Sequence, residues 1–116
     1  MSINRQTRRD LVRDYKDQKS VPGVYAVRCA ATGEVWVGGS PDLDKQWNRI
    51  SFGLRTGGHN NRALLAAWTA HGADAVVYEI LERIDDRDMS PMGRADAIKA
   101  RERHWLAALG AMKAVG

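Results

Sequence analysis

Glu102 is the acidic residue whose position in the sequence most clearly indicates chemistry. In the predicted last helix, apolar residues recur on one face, and Glu102 interrupts them four residues after Ile98 and three before Trp105. An ionised carboxylate that faces inward among apolar groups is costly unless a cation or hydrogen-bond donors meet it. A divalent metal ion would be such a cation. Alternatively, Glu102 lies at the edge of the apolar stripe and pairs with an arginine, and periodicity alone leaves both interpretations open.

Tyr25 and Trp36 are aromatic residues in two valine-rich segments, V-P-G-V-Y-A-V-R-C (21–29) and E-V-W-V-G-G (34–39). Turn-forming residues lie between the segments, and the pattern therefore predicts a β-hairpin. If the hairpin closes with a two-residue loop, Val27 lies opposite Trp36 and Tyr25 lies opposite Gly38. Because side chains alternate along strands, Tyr25 and Trp36 then share one face as diagonal neighbours. Taken alone, Tyr25 fits either a packed strand aromatic or a hydroxyl that acts on a water molecule.

Further elements are predicted from capping residues and hydrophobic spacing. Ser40 as N-cap and Pro41 as first helical residue predict a helix start, and an apolar stripe follows at Leu43, Trp47, Ile50 and Leu54. Asn60 or Asn61 would cap a second helix that ends at Gly72. A third strand is predicted over residues 75–81, a charged loop over 82–89, and a last helix from Ser90-Pro91 to about Leu109.

These elements give a small α/β (α+β) domain in which helices flank a sheet, with the order α-β-β-α-α-β-α. Residues 1–20 are predicted to form a basic helix that packs on the domain. Residues 21–110 form the domain itself, and residues 111–116 form a tail. At 116 residues, the chain suits one modest hydrophobic core.

Composition narrows the class of protein. A formal net charge of +4 and a pI of about 9.6 are compatible with a polyanionic partner. The first nineteen residues hold six basic and three acidic residues, including Arg9 and Arg13, which can contact phosphates or simply line a solvated amphipathic helix. The single Cys29 excludes a disulfide framework and a cysteine-rich zinc site. No apolar run or signal-peptide pattern indicates a membrane, and we expect a cytoplasmic protein.

Short motifs follow each other along the chain in a specific order: G-V-Y (23–25), W-V-G (36–38), S-P-D-L (40–43), N-R (48–49), G-G-H-N-N (57–61), H-G (71–72), Y-E-I-L (78–81) and E-R-H-W-L (102–106). Their order and spacing resemble the GIY-YIG nuclease family, whose name spells the first two motifs. The resemblance covers roughly residues 20 to 110. It implies a three-stranded antiparallel sheet flanked by helices, and a metal-dependent endonuclease that hydrolyses phosphodiester bonds, with DNA as the favoured nucleic acid.

The same resemblance implies catalytic roles for Tyr25, Trp36, Arg49 and Glu102. Glu102 would bind one Mg²⁺ or Mn²⁺, and Tyr25 would assist the attacking water. Trp36 stands where the family has its second tyrosine. Its indole can donate to a phosphate or stack on a base, but it cannot transfer a proton as a phenol can.

Three departures from the family pattern, the first of which is Trp36, favour an alternative. The position of the family's catalytic arginine is occupied by Gln46, ten residues after Trp36, and its late asparagine has no clear counterpart. Arg49, one turn further on the same helix face, can take over the charge, or it is a surface residue paired with Asp42 or Asp44. The alternative is a degenerate domain that binds nucleic acid or a protein partner without cleavage.

The remaining nucleic-acid-binding candidates lie on the first helix of the predicted domain, in the loop after it and in the amino-terminal segment. They are Gln46, Asn48, His59, Asn60, Arg9 and Arg13. No DNA-binding module accompanies the domain in this sequence. Specificity is therefore expected from the amino-terminal helix, from loops or from a partner protein.

Overall fold

A computed structural model describes the chain from residue 21 to residue 114. The predicted amino-terminal helix, with Arg9 and Arg13, lies outside the described residues. The elements in chain order are β1 (Gly23–Cys29), β2 (Val35–Ser40), α1 (Leu43–Thr56), α2 (Arg62–His71), a 3₁₀ turn (Ala73–Ala75), β3 (Val76–Arg83), α3 (Pro91–Leu109) and β4 (Met112–Lys113). None of the helices in this range is both long and apolar enough to cross a membrane.

The strands form one mixed sheet in the order β3-β1-β2-β4. β1 pairs antiparallel with β2 and β3, whereas β4 runs parallel to β2 through the pairs Trp36–Met112 and Val37–Lys113. The predicted class, a sheet flanked by helices, is confirmed. The predicted number of three strands is wrong, because Met112 and Lys113, which were predicted to belong to a tail, form a fourth strand. A strand of two residues is too short to show alternation, and its pairing depends on the folded β2 edge.

The hairpin has the predicted register, with Tyr25 opposite Gly38 and Val27 opposite Trp36. Its loop is longer than predicted and comprises residues 30–33. The carbonyl of Cys29 accepts from the amides of Thr32 at 3.3 Å and Gly33 at 2.7 Å, and Gly33 has a φ of 81°. A type I turn followed by a left-handed glycine closes the hairpin without changing the strand pairing.

The sheet separates two hydrophobic layers. One face, here called the α1 face, holds Tyr25, Val27 and Trp36, which pack against Leu43 and Ile50 of α1 and against α2. The opposite face, here called the α3 face, holds Val24, Ala26 and Val37 beneath Trp105 and Leu106. Strand alternation therefore assigns neighbouring residues of β1 and β2 to different helices.

Helix boundaries follow the capping side chains. α1 begins at Leu43, because the side chain of Asp42 accepts from the Lys45 amide at 3.2 Å. The predicted start at Ser40 and Pro41 is wrong, since Ser40 remains in β2 and its hydroxyl accepts from the Asp42 amide at 3.0 Å. The predicted caps Asn61 and Ser90, the end of α2 at Gly72 and the end of α3 at Leu109 are confirmed.

β3 extends two residues beyond the predicted strand and contains a β-bulge. Val24 pairs with Glu82 and Tyr25 pairs with Ile80, which leaves Leu81 as the additional residue. The bulge turns Glu82 to the α3 face, where simple alternation from Ile80 would have directed it to the α1 face. The charged loop predicted from residue 82 therefore begins after Arg83 instead.

Candidate active site at a glycine pair in β2

Gly38 and Gly39 lie where two functional candidates approach the sheet from opposite sides. A Cβ atom on Gly38 would lie 2.5 Å from the hydroxyl oxygen of Tyr25. A Cβ atom on Gly39 would collide with Ile98 and lie 3.8 Å from the Cβ of Glu102. Within the described residues, β4 covers the outer edge of β2 only at Trp36 and Val37. The two glycines thus allow a close approach of Tyr25 and α3 at the uncovered part of β2.

Tyr25 is completely buried, and its hydroxyl group has no hydrogen-bond partner among residues 21–114. Burial raises the pKa of the phenol above its ordinary value, and the nearby Tyr78 and Glu102 raise the pKa further. Tyr25 is therefore protonated at neutral pH, and its hydroxyl group is available as a hydrogen-bond donor. Most buried polar groups have a partner, so this unpartnered hydroxyl calls for an explanation, and a ligand that completes its hydrogen bonding would be one.

Glu102 lies in a groove of about 320 Å³ between the end of β2 and the first half of α3. The groove is lined by Gly39, Pro41, Pro91, Arg94, Ala95, Ile98, Lys99 and Glu102. None of the ion pairs within residues 21–114 involves Glu102, so the alternative interpretation, a pair with an arginine, is not formed there. The carboxylate is partly exposed and is accessible to a ligand in the groove.

Arg94 and Lys99 are groove residues that sequence reasoning missed. Isolated cations on a helix carry little signal by themselves. Their spacing to Glu102 is informative, however, because Arg94 lies eight residues before Glu102 and Lys99 three residues before it, on one helix face. A search for cations at helical spacing from the candidate carboxylate would have found both.

The donor set of the groove fits a hard divalent cation. No group of three or more histidine, cysteine, aspartate or glutamate residues that could enclose a metal ion is formed within residues 21–114. Mg²⁺ commonly keeps several water ligands and is held by one or two carboxylates together with substrate phosphates. Glu102 would supply the one carboxylate of such a site, and water and a substrate phosphate would supply the remaining ligands.

The α1 candidates lie on the other side of the sheet from Glu102. Arg49 is exposed, and its guanidinium donates to the side-chain carbonyl of Gln46 over a long 3.5 Å. Gln46 is half-buried and Asn48 is exposed. Because α1 packs on the α1 face and Glu102 projects from α3, Arg49 and Glu102 approach the sheet from opposite faces.

Trp36 is fully buried in the core of the α1 face, with a relative exposure of 0%. It shares that face with Tyr25, as the hairpin register predicts. The indole has no surface available for a base or a phosphate in this conformation. Its observed contacts are those of a packing residue.

His59 and Asn60 lie in the loop between α1 and α2. The Nδ1 atom of His59 accepts from the Asn61 amide at 3.0 Å, and burial lowers the pKa of the imidazole. His59 is therefore neutral at pH 7 and helps to shape the loop. Asn60 is exposed and has a free surface for a ligand.

Comparisons with known proteins identify solved structures with a similar fold. No family model matches the sequence, and no curated protein matches it. Among solved structures, the catalytic domain of the homing endonuclease I-TevI is similar, with 28% identity and a TM-score of 0.64 over 77% of this chain and 88% of that one. The chain has the GIY-YIG fold. A mutant of the catalytic domain of intron endonuclease I-TevI gives 27% identity and a TM-score of 0.65 over 78% of this chain and 84% of that one.

The fold of this GIY-YIG domain accounts for the relation between its motifs. The two strand motifs pair directly, and the last glycine of the second motif lies against the tyrosine of the first. The helix that carries Glu102 then packs behind the same strand. The structure therefore brings Tyr25 and Glu102 to one glycine pair, while the chemical roles of these residues remain predictions.

Proposed function

We propose that this GIY-YIG domain is a metal-dependent endonuclease that hydrolyses phosphodiester bonds in nucleic acid, with DNA as the favoured substrate. The observation that carries the proposal is the position of Glu102 in a cation-lined groove, next to the glycine pair that the Tyr25 hydroxyl also reaches. The similar solved structures are catalytic domains of a homing endonuclease, and this chain covers 88% of one of them. Both points support hydrolysis rather than another use of the fold.

Glu102 would hold one Mg²⁺ or Mn²⁺ ion through its carboxylate. When bound, such an ion supplies a Lewis acid for a phosphate oxygen and lowers the pKa of water. In the hydrolysis, a water oxygen attacks phosphorus and the bond from phosphorus to one sugar oxygen breaks. One proton leaves the water, and the released sugar oxygen takes up a proton.

Tyr25 would orient the reacting groups by donating a hydrogen bond. Its raised pKa keeps the phenol protonated at neutral pH, which favours donation to a water or phosphate oxygen over proton abstraction. The hydroxyl has no exposed surface, so a ligand reaches it only after a local rearrangement around Gly38 on the α1 face. Arg49 is the α1 candidate for neutralising phosphate charge, as the family resemblance implies.

A second candidate function is supported by specific observations on the α1 face. Tyr25 and Trp36 are both wholly buried, and Gln46 stands where the family has an arginine. These features suit a domain that binds nucleic acid or a partner protein without cutting. A partner protein would also be a source of specificity for an active enzyme.

The direct test is cleavage of labelled single- and double-stranded DNA and RNA in the presence of Mg²⁺, Mn²⁺ or EDTA. We expect metal-dependent cutting that Glu102→Gln reduces by at least about 100-fold, because the amide keeps the shape but cannot neutralise a cation. Glu79→Gln is the matched control, since Glu79 is a surface carboxylate paired with Arg28. Circular dichroism would establish that each variant is folded.

Two results would contradict the proposal, the first its mechanism and the second its activity. Cleavage that persists in Glu102→Gln would remove the metal-binding role of this carboxylate. Absence of cleavage by folded protein with every substrate and metal would leave the non-cleaving binding domain as the better explanation.

A further inference from the structure

The face of α3 that lines the groove carries three charged residues, Arg94, Lys99 and Glu102. Arg94, Ile98 and Glu102 are spaced by four residues, and Lys99 lies one turn before Glu102. At 1.5 Å of rise per residue, Arg94 and Glu102 are about 12 Å apart along the helix axis. This length corresponds to roughly three phosphate steps of a duplex strand, at about 3.4 Å of axial rise each.

The two cations that line the groove, Arg94 and Lys99, form weaker ion pairs than other cations of the domain, or none among residues 21–114. Arg101, on the same helix, donates to Glu82 at 2.8 and 3.1 Å, and Arg87 is bound to Asp85 at 2.7 Å. The guanidinium of Arg94 contacts Asp86 at the longer distance of 3.4 Å. Lys99 forms no ion pair with any residue between 21 and 114.

Arg101, the cation next to Glu102 in α3, is engaged by Glu82, and α1 supplies none of the described residues that line the groove. Gln46 is neutral, and Arg49 projects from the helix on the opposite face. A carboxylate without a nearby cation would repel a phosphodiester backbone. Lys99 and Arg94 lie in the same groove as Glu102 and can offset that repulsion.

We propose that the α3 groove binds the sugar-phosphate backbone of duplex DNA, with Lys99 and Arg94 contacting phosphates on the side of Glu102 towards the start of α3. This inference rests on the proposed function, since it assigns the substrate path at the same carboxylate. Pro41, Pro91 and Ile98 give the groove an apolar surface against which the sugars pack. The phosphate-binding charge in this groove then comes from α3.

The test measures binding of a labelled DNA duplex in EDTA at several salt concentrations, with all variants made in the Glu102→Gln background. That background prevents cleavage and removes the carboxylate's repulsion. Each phosphate contact contributes about 0.9 to the slope of log affinity against log salt. We expect Lys99→Gln and Arg94→Gln each to reduce the slope by about that amount, and to weaken binding several-fold at low salt.

Arg55→Gln is the matched control, because Arg55 is an exposed arginine on α1 with no assigned role, and it should not change the slope. Arg49→Gln tests the α1 candidate for phosphate charge in the same assay. A slope that falls in Arg49→Gln but not in Lys99→Gln or Arg94→Gln would overturn the inference, as would the absence of any duplex binding. The cleavage assay reports separately on hydrolysis. A smaller slope of log affinity against log salt in Lys99→Gln and Arg94→Gln, with no cleavage by the unsubstituted protein, would support DNA binding in this groove and refute the proposed hydrolysis.

Discussion

At the scale of single residues, two neighbouring tyrosines differ in the hydrogen bonding of their hydroxyl groups. The rings of Tyr25 and Tyr78 are 5.4 Å apart on the α1 face. Tyr78 donates to the carbonyl of Leu43 at 2.8 Å, whereas the Tyr25 hydroxyl has no partner within residues 21–114. An unsatisfied buried polar group costs about 1–3 kcal/mol. Such a cost is typical of sites where a ligand completes the hydrogen bonding.

Removing each hydroxyl should therefore have opposite effects on stability. We expect Tyr25→Phe to raise the free energy of unfolding by about 1 kcal/mol, because it removes an unsatisfied group, and Tyr78→Phe to lower it by a similar amount. Urea denaturation of both variants measures the difference. Equal destabilisation in the two variants would show that Tyr25 has a partner. In the cleavage assay, Tyr25→Phe should be the more impaired variant.

At this scale, the sequence allowed prediction of some residues and not of others. The register that places Tyr25 opposite Gly38 follows from alternation and turn position, and it was predicted. The burial of Trp36 follows from packing of α1 and α2 on the hairpin, which no local pattern reports. Lys99 and Arg94 gain significance only from the groove that β2 and α3 form together.

At the scale of elements, the position of α3 depends on Glu82. The Glu82 carboxylate accepts from Arg101 at 2.8 and 3.1 Å and from the indole of Trp105 at 2.8 Å. The Trp105 hydrogen bond and the neighbouring Arg101 hold the pKa of Glu82 below its ordinary value. Because Glu102 lies between Arg101 and Trp105 in sequence, this contact also fixes the helix turn that carries the candidate metal ligand.

The Glu82 contacts give a pH dependence with a defined sign. Since the pKa of Glu82 is lower in the folded state, its contribution to stability is fully present above the unfolded pKa of about 4.3. That contribution is lost as pH falls through the lower, folded pKa. We expect Glu82→Gln to cost about 1–3 kcal/mol at pH 7, and its difference from the unsubstituted protein to shrink in acid.

Urea unfolding at pH 7 and at a series of acidic pH values measures this effect. Glu79→Gln is the control, because the pair of Glu79 with Arg28 is a surface ion pair with side-chain exposures of 47% and 40%, which is worth about 0–1 kcal/mol. A pH-independent difference for Glu82→Gln would contradict the proposed charge-assisted contact.

The bulge that turns Glu82 towards α3 could not be predicted from the sequence. Neither glycine nor proline marks the bulge at Leu81, and the segment continues the β3 pattern into charged residues. The helix caps at Asn61 and Ser90 were predictable because capping acts within three residues. Interactions within a few residues of the chain are visible in the sequence, whereas the bulge is defined by pairing with β1.

At the scale of the whole molecule, Asn61 connects distant parts of the chain. Its side-chain oxygen caps α2 by accepting from the Leu64 amide at 3.1 Å. Its side-chain nitrogen donates to the carbonyls of Lys113 at 3.2 Å and Ala114 at 2.8 Å. The same residue therefore starts a helix and holds β4 beside β2.

Asn61→Asp should separate these two roles. The aspartate keeps the cap oxygen but presents a carboxylate to two carbonyl oxygens, and we expect β4 to detach while α2 remains. Hydrogen exchange at the Ala114 amide, which donates to the Val37 carbonyl at 2.9 Å, should accelerate by at least about tenfold. Asn61→Ala is the control that loses both roles. Unchanged protection in Asn61→Asp would show that β4 does not depend on this contact.

Metal removal should have little effect on the stability of the whole domain. A ligand stabilises a fold in proportion to how far its concentration exceeds its dissociation constant, and one carboxylate gives a weak site without a phosphate ligand. We expect EDTA to abolish cleavage and to shift the melting temperature by less than about 1 °C. Differential scanning calorimetry with Mg²⁺ or EDTA measures this shift. A much larger loss in EDTA would indicate a structural metal site.

The docking of α3 also has a consequence for heat inactivation. Of its nineteen residues, only Ile98 is buried, while β1 is buried along almost its whole length. Segments with few buried contacts open at lower free energy than the core that supports them. Glu102 and the groove cations would then leave the sheet in a partial opening that preserves the hairpin. Cleavage should therefore decline at temperatures where the sheet is still intact.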